Sequence, residues 1–204
     1  MAALVPIEFL AVIVCSIYGV LLAARKGMDV MGVFAVAFVV AFGGGTLRDL
    51  FLDRTPLFWI ANAHYPVIVF VIAILSGFIV RYVAHIRRLL VFPDALGMAL
   101  FTLTGTGYAL EAGTSLFVAA LLGVITGTFG GVLGDVICNE VPSLFVPSPL
   151  NATCSFAGAW LYIGLLEMDV PNGYALVAGI VLIVLFRLAA VRWNWCFPAV
   201  REPG

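Results

Sequence analysis

The sequence predicts an all-α membrane protein: seven transmembrane helices, built as an inverted repeat of three plus three with one further C-terminal helix, and with helices two and five kinked. Three observations carry that expectation. Hydrophobic residues make up 64% of the 204-residue chain and charged residues only 10%, with a mean hydropathy of +1.18. Apolar runs of membrane-spanning length recur along the chain, and the second half repeats the first. No soluble domain of this length hides so much apolar surface. No long polar stretch remains either, so residues 1–204 read as one transmembrane domain.

A hydrocarbon core of about 30 Å needs roughly 20 apolar residues as helix. Apolar runs between charged or Pro-marked breaks fall near residues 6–24, 29–52, 66–86, 93–110, 115–138, 150–167 and 173–191. Links such as "RKGMD" and "EAGTS" are short, as antiparallel neighbours require. Arg25 and Lys26 follow the first run, Arg87 and Arg88 the third, Arg192 and Arg201 the last. The opposite loops hold Arg54 with Glu111, Glu167 and Asp169. Basic residues collect on the cytoplasmic side, so the N-terminus is expected outside and the C-terminus in the cytoplasm.

A shift of 86 positions, the separation of Gly44 and Gly130, brings "GGTLRDLFLDRTP" onto "GGVLGDVICNEVP". Leu47 falls on Leu133, Asp49 on Asp135 and Pro56 on Pro142. Glu8 falls on Asp94, Gly19 on Gly105, and Ala37, Ala41 and Gly45 on Gly123, Gly127 and Gly131. So many gapless matches at one offset indicate duplication: repeat one spans about 6–88, repeat two about 92–168, and the extra helix about 173–191. Three spans per copy force the second copy upside down. Inverted repeats with broken helices are a transport architecture.

The glycine runs are the next clue. Each glycine lowers helix propensity by about 1 kcal/mol, and close helix packing asks for one small residue per turn rather than a run. Gly43, Gly44, Gly45, Gly130 and Gly131 therefore mark expected kinks, where freed carbonyls would face protein or water and suit a partly dehydrated cation. Arg48, Asp49 and Asp135 cost about 2.5–3.5 kcal/mol each against lipid; they either clasp helices two and five together or line a polar path. At about 1.5 Å per residue, Asp49 lies roughly 28 Å beyond Val30, near one membrane boundary. Ser16, Tyr18, Thr102, Thr104, Thr106 and Thr126 either line a pore or bond their own helix backbone. Arg187 is expected to snorkel to the cytoplasm, and Trp193 and Trp195 to sit in an aromatic belt.

Other classes are excluded. Cys15, Cys138, Cys154 and Cys196 form no Cys-x-x-Cys pair and have no His at ligand spacing, so they read as packing residues rather than a structural metal site. His64, expected in a loop, and His85 have no positioned nucleophile, so no enzyme and no cofactor is expected. A net charge of −1 argues against a nucleic-acid partner. "MAALVPIE" lacks the basic start of a signal peptide.

With these motifs in place, "RKGMDV…GGGTLRDL" and its degenerate second copy resemble the prokaryotic branch of the trimeric intracellular cation (TRIC) channels, which overlaps a bacterial family labelled glycine transporters. The resemblance covers nearly the whole chain. It implies a homotrimer in the prokaryotic inner membrane, surrounded by lipid, with a separate pore in each subunit between kinked helices two and five. Monovalent cations, chiefly K⁺ with Na⁺ also permitted, would pass. The motif residues carried over are Gly43, Gly44, Gly45, Arg48 and Asp49, then Gly130, Gly131 and Asp135. The second motif departs from the family pattern, with Gly134 where an Arg is common and Phe129 where a third glycine stands. That leaves Asp135 either free to attract cations or paired with Arg48 across the repeat axis.

The resulting expectation is a cation channel whose path uses these residues with Thr46 and Thr126, Arg48 acting as a tethered cation. The alternative is a secondary transporter of a small zwitterion such as glycine, its carboxylate near Thr46 and Arg48 and its ammonium near an aspartate.

Overall fold

The computed structural model describes residues 4–79 and 90–198. Arg87, Arg88, His85, Arg201 and the end of the third expected segment lie outside them. The described residues form eight helices: α1 (Leu4–Ala24), α2 (Val30–Phe51), the short α3 (Phe58–Ala61), α4 (His64–Ile79), α5 (Val91–Glu111), α6 (Leu116–Ile137), α7 (Ala152–Glu167) and α8 (Asn172–Trp193). Among them α1, α2, α6 and α8 are long and apolar enough to cross a membrane. α5 has the length but not the uniform apolarity. Almost all of its positions from Ala95 to Ala109 are buried, so its glycines and threonines face protein rather than lipid. His64 opens α4 rather than lying in a loop.

α1, α2, α5 and α6 pack as a central group. α4 flanks α1 and α2, while α7 and α8 flank α5. Local chemistry repeats across this group at the same offset of 86. α2 starts at Asp29, whose carboxylate accepts from the Gly32 N–H at 2.8 Å, and α6 starts at Ser115, which accepts from the Val118 N–H at 3.4 Å. Each cap satisfies one of the donors left over in a helix's first turn. The turns before them pass through Gly27 and Gly113 at φ 66° and 76°, where a side chain would be strained.

Both helices also stop in the same way. Asp53 and Asn139 take left-handed φ values of 50° and 54°, which short polar side chains tolerate. Arg54 N–H then bonds Asp49 C=O at 2.8 Å, and Glu140 N–H bonds Asp135 C=O at 2.9 Å. This is a Schellman stop, and it fixes where both aspartates sit: in the last turn of their helix.

Neither glycine run interrupts its helix, since α2 and α6 each continue through to their stops. At two of these glycines the helix backbones meet. A Cβ on Gly44 would collide with the Thr126 carbonyl oxygen, and one on Gly130 with the Val40 carbonyl oxygen. Val40 and Thr126 are themselves 86 apart, so the α2–α6 crossing has two equivalent backbone contacts. The glycines serve close approach in helices whose burial and neighbours outweigh their poor propensity.

Candidate functional site

Two polar clusters lie at opposite ends of the α2–α6 crossing. At one end Arg48, fully buried, donates from Nη1 to Glu8 Oε1 at 2.7 Å, and from Nε and Nη2 to Asp49 Oδ1 at 2.9 and 2.8 Å. Its guanidinium lies 5.1 Å from the Phe58 ring centroid and 4.5 Å from that of Tyr108. The Phe58 N–H donates to Asp49 Oδ2 at 2.8 Å, and Arg54 reaches Asp49 Oδ1 at 3.5 Å while stacking on Tyr108 at 4.0 Å. Two carboxylates thus meet two guanidiniums. Such a buried cluster holds only while complete, because removing one partner strands a charge at about 3–5 kcal/mol.

At the other end, Asp135 accepts from the Ser143 N–H at 3.3 Å and lines a cavity. That cavity is a vestibule of about 290 Å³ bordered by Tyr18, Arg25, Asp94, Asp135, Glu140 and Arg187. Its rim is tied by Lys26 to Glu140 at 2.6 Å. A smaller cavity of about 20 Å³, room for about one water, shares Tyr18, Asp94, Asp135 and Ser143 with it and forms a neck. Cys15, Tyr18, Asp94, Thr126, Gly130 and Asp135 are among the residues lining the neck, and both charged side chains there are carboxylates. Val40 and Thr126, whose carbonyls mark the helix crossing, also line the neck.

The expected pathway residues thus divide. Thr126, Gly130, Gly131 and Asp135 line the neck. The first-motif residues are occupied with packing: Gly43 faces Leu133, Gly45 faces the Phe58 ring, and Thr46 accepts a hydrogen bond from Trp59 Nε1 at 3.1 Å. Arg48 pairs with Glu8 and Asp49 rather than with Asp135, because α1 brings Glu8 beside it. The clasp therefore ties α2 to α1, not α2 to the sixth helix.

Arg187 does not snorkel. It is 8% exposed, donates from Nη2 and Nε to Asp94 Oδ2 at 3.0 and 3.3 Å, and from Nη1 to the Pro149 and Leu150 carbonyls at 2.7 and 2.9 Å. Its sequence signal was a lone arginine inside "LIVLFRLAA", costly in lipid and so in need of a partner. Ser16, Thr104, Thr106 and Thr126 bond their own helix carbonyls, while Thr102 donates across to Ser155 at 3.0 Å. Cys15, Cys138 and Cys154 are buried and Cys196 is exposed.

A family model described as "Glycine transporter" matches residues 6–81 and 91–167. A UPF0126 membrane protein of Vibrio cholerae is 36% identical over 94% of this chain and 80% of its own length. The UPF0126 inner membrane protein YadS of Escherichia coli is 34% identical over 97% of each chain. Among solved structures, a TRIC trimeric intracellular cation channel orthologue from Rhodobacter sphaeroides superposes with a TM-score of 0.89 at 31% identity, covering 96% of this chain and 100% of that one.

Proposed function

From the premise that this chain belongs to the glycine-transporter family and has the fold of the TRIC channels, we propose that it is a cation channel of the inner membrane. The observation that carries the reading is the neck, whose charged lining residues among those described are Asp94 and Asp135. A water-filled path with low-dielectric walls and carboxylates concentrates cations and repels anions. The ions are monovalent, K⁺ and also Na⁺, because two separated carboxylates and neutral carbonyl and hydroxyl groups attract cations without forming a cage for a divalent one.

The path runs between α2 and α6 within each subunit, through the vestibule, past Thr126 and Gly130 to the crossing. Seven helices span the membrane, as two inverted sets of three plus α8. Arg25 and Lys26 stand at the vestibule end, which supports a cytoplasmic position for that end, with the Arg48 clasp toward the outer face. The subunit assembles as a homotrimer, the state named for the Rhodobacter protein. In this reading the described state is closed on the clasp side.

One observation favours a carrier of glycine or a similar zwitterion: the cavity reaches the crossing from one end, while Arg48, Asp49 and Glu8 at the other are 0%, 1% and 3% exposed. One-sided access is what a carrier presents. Flux separates the two. Purified protein in liposomes should pass K⁺ without saturating in the low-millimolar range and show ohmic steps in planar bilayers, and Asp135→Asn should cut that conductance severalfold with the folded elution profile kept. Saturable uptake of labelled glycine, with no single-channel steps, would replace the channel by the carrier.

A further inference from the structure

The second repeat lacks an arginine at Gly134, yet its acidic positions are retained. Asp94 stands where Glu8 stands in the first repeat, and Asp135 where Asp49 stands. The surroundings of the missing side chain have changed with it. Arg48 lies over the Tyr108 ring; the counterpart of Tyr108 is Leu22, and a Cβ on Gly134 would meet Leu22 and Val40. Charge and aromatic platform are both gone, so an arginine at this position has no site to occupy.

We infer that Arg187, from the helix outside the duplication, supplies the counter-charge that the second repeat lost at Gly134, and that its displaced position sets how strongly the neck attracts cations. Arg48 takes both carboxylates of its half and closes it. Arg187 approaches from α8 and takes Asp94 alone, two nitrogens on one oxygen. The Pro149 and Leu150 carbonyls hold its remaining amino group, so the guanidinium is fixed. Asp135 accepts the Ser143 N–H and, among the described residues, has no ion pair, Arg25 standing on the same vestibule wall. In the second half two carboxylates thus face one paired guanidinium, where the first half sets Arg48 and Arg54 against two, and its neck stays acidic. Arg187 is a positioning and selectivity residue.

This inference rests on the channel reading for its effect on current, but not for the electrostatics, so the test reads both. Val141, 69% exposed on the vestibule wall, is replaced by cysteine in a Cys196→Ser background, the other three thiols being buried. Labelling rates with a cationic and an anionic methanethiosulfonate then report the local potential. Arg187→Gln should raise the cationic-to-anionic ratio by roughly fivefold, as expected for removing one nearby charge at moderate ionic strength. Arg187→Lys should stay within about twofold of the parent, and Asp94→Asn/Arg187→Gln should return to it. If Arg187→Gln fails to fold, Asp94→Asn reads the same pair with the opposite sign, and the ratio should fall. An unchanged ratio in a folded Arg187→Gln or Asp94→Asn protein overturns the inference, as does a Lys variant that behaves like Gln. In bilayers Arg187→Gln should raise cation current entering from the vestibule side. A parent that passes no current while its labelling ratios shift as stated sinks the channel reading and leaves Arg187 in place; a conducting parent with unmoved ratios does the reverse.

Discussion

At the end of α2, Arg48 lies between Glu8 and Asp49 over two aromatic rings, and water is shut out. At the matching end of α6, Gly134 lies against Leu22 and Val40, and Asp135 lines a vestibule of about 290 Å³. The helix caps, the stops and the backbone contacts of the two halves agree residue for residue, so the difference comes from a few side chains. Where a guanidinium spans both carboxylates, the half closes. Where the guanidinium is absent from the motif and arrives from α8 on one carboxylate only, a cavity remains. The frame repeats, and the two ends differ because Gly134 and Leu22 stand where the other copy has Arg48 and Tyr108.

Breaking the clasp is the most severe test of that contrast. Arg48→Ala leaves Glu8 buried without a cation and Asp49 with Arg54 at 3.5 Å, and should cost about 3–5 kcal/mol, read as loss of the monodisperse peak in a thermal size-exclusion assay. A wild-type melting profile would mean that the first half stays closed without its ion cluster. The helix crossing gives the next effect. Gly130→Ala drives a methyl into the Val40 carbonyl and should destabilise by about 1–3 kcal/mol, whereas Gly131→Ala, with open space around its Cβ, should be neutral or stabilising by up to about 1 kcal/mol. Equal melting shifts for these neighbours would refute the close-contact account of the glycines. The smallest effect belongs to the vestibule rim. Lys26 and Glu140 have side chains 34% and 48% exposed, and a double-mutant cycle should return a coupling of about 0.2–1 kcal/mol that fades with salt.

Much of this was legible in the chain. The pairs Asp29 and Ser115, Gly27 and Gly113, and Asp53 and Asn139 occupy equivalent places because the same local rules act on each copy, and the offset that aligns the glycine motifs finds them all. The backbone contacts of Gly44 and Gly130 were not legible in propensity, for a physical reason. Propensity describes an isolated helix, while Gly44 and Gly130 sit where another backbone presses on them. The partners of Arg48 were hidden because Glu8 and Tyr108 lie far along the sequence and meet it only once α1 and α5 pack. Glu8 had one trace, its alignment with Asp94. Arg187 falls outside the repeat, so no offset points to it; only the expense of a lone cation in "LIVLFRLAA" marks it as a residue that must find a carboxylate.

The paired contacts of Gly44 with the Thr126 carbonyl and of Gly130 with the Val40 carbonyl have a mechanical corollary. Two rods touching backbone to backbone near their middles share a fulcrum. Rocking one against the other spreads the tips on one side of the bilayer and draws them together on the opposite side. Simultaneous widening at both faces demands that the rods lift apart at the fulcrum itself, so the girth of four residues governs whether this protein behaves as a seesaw or as a tube.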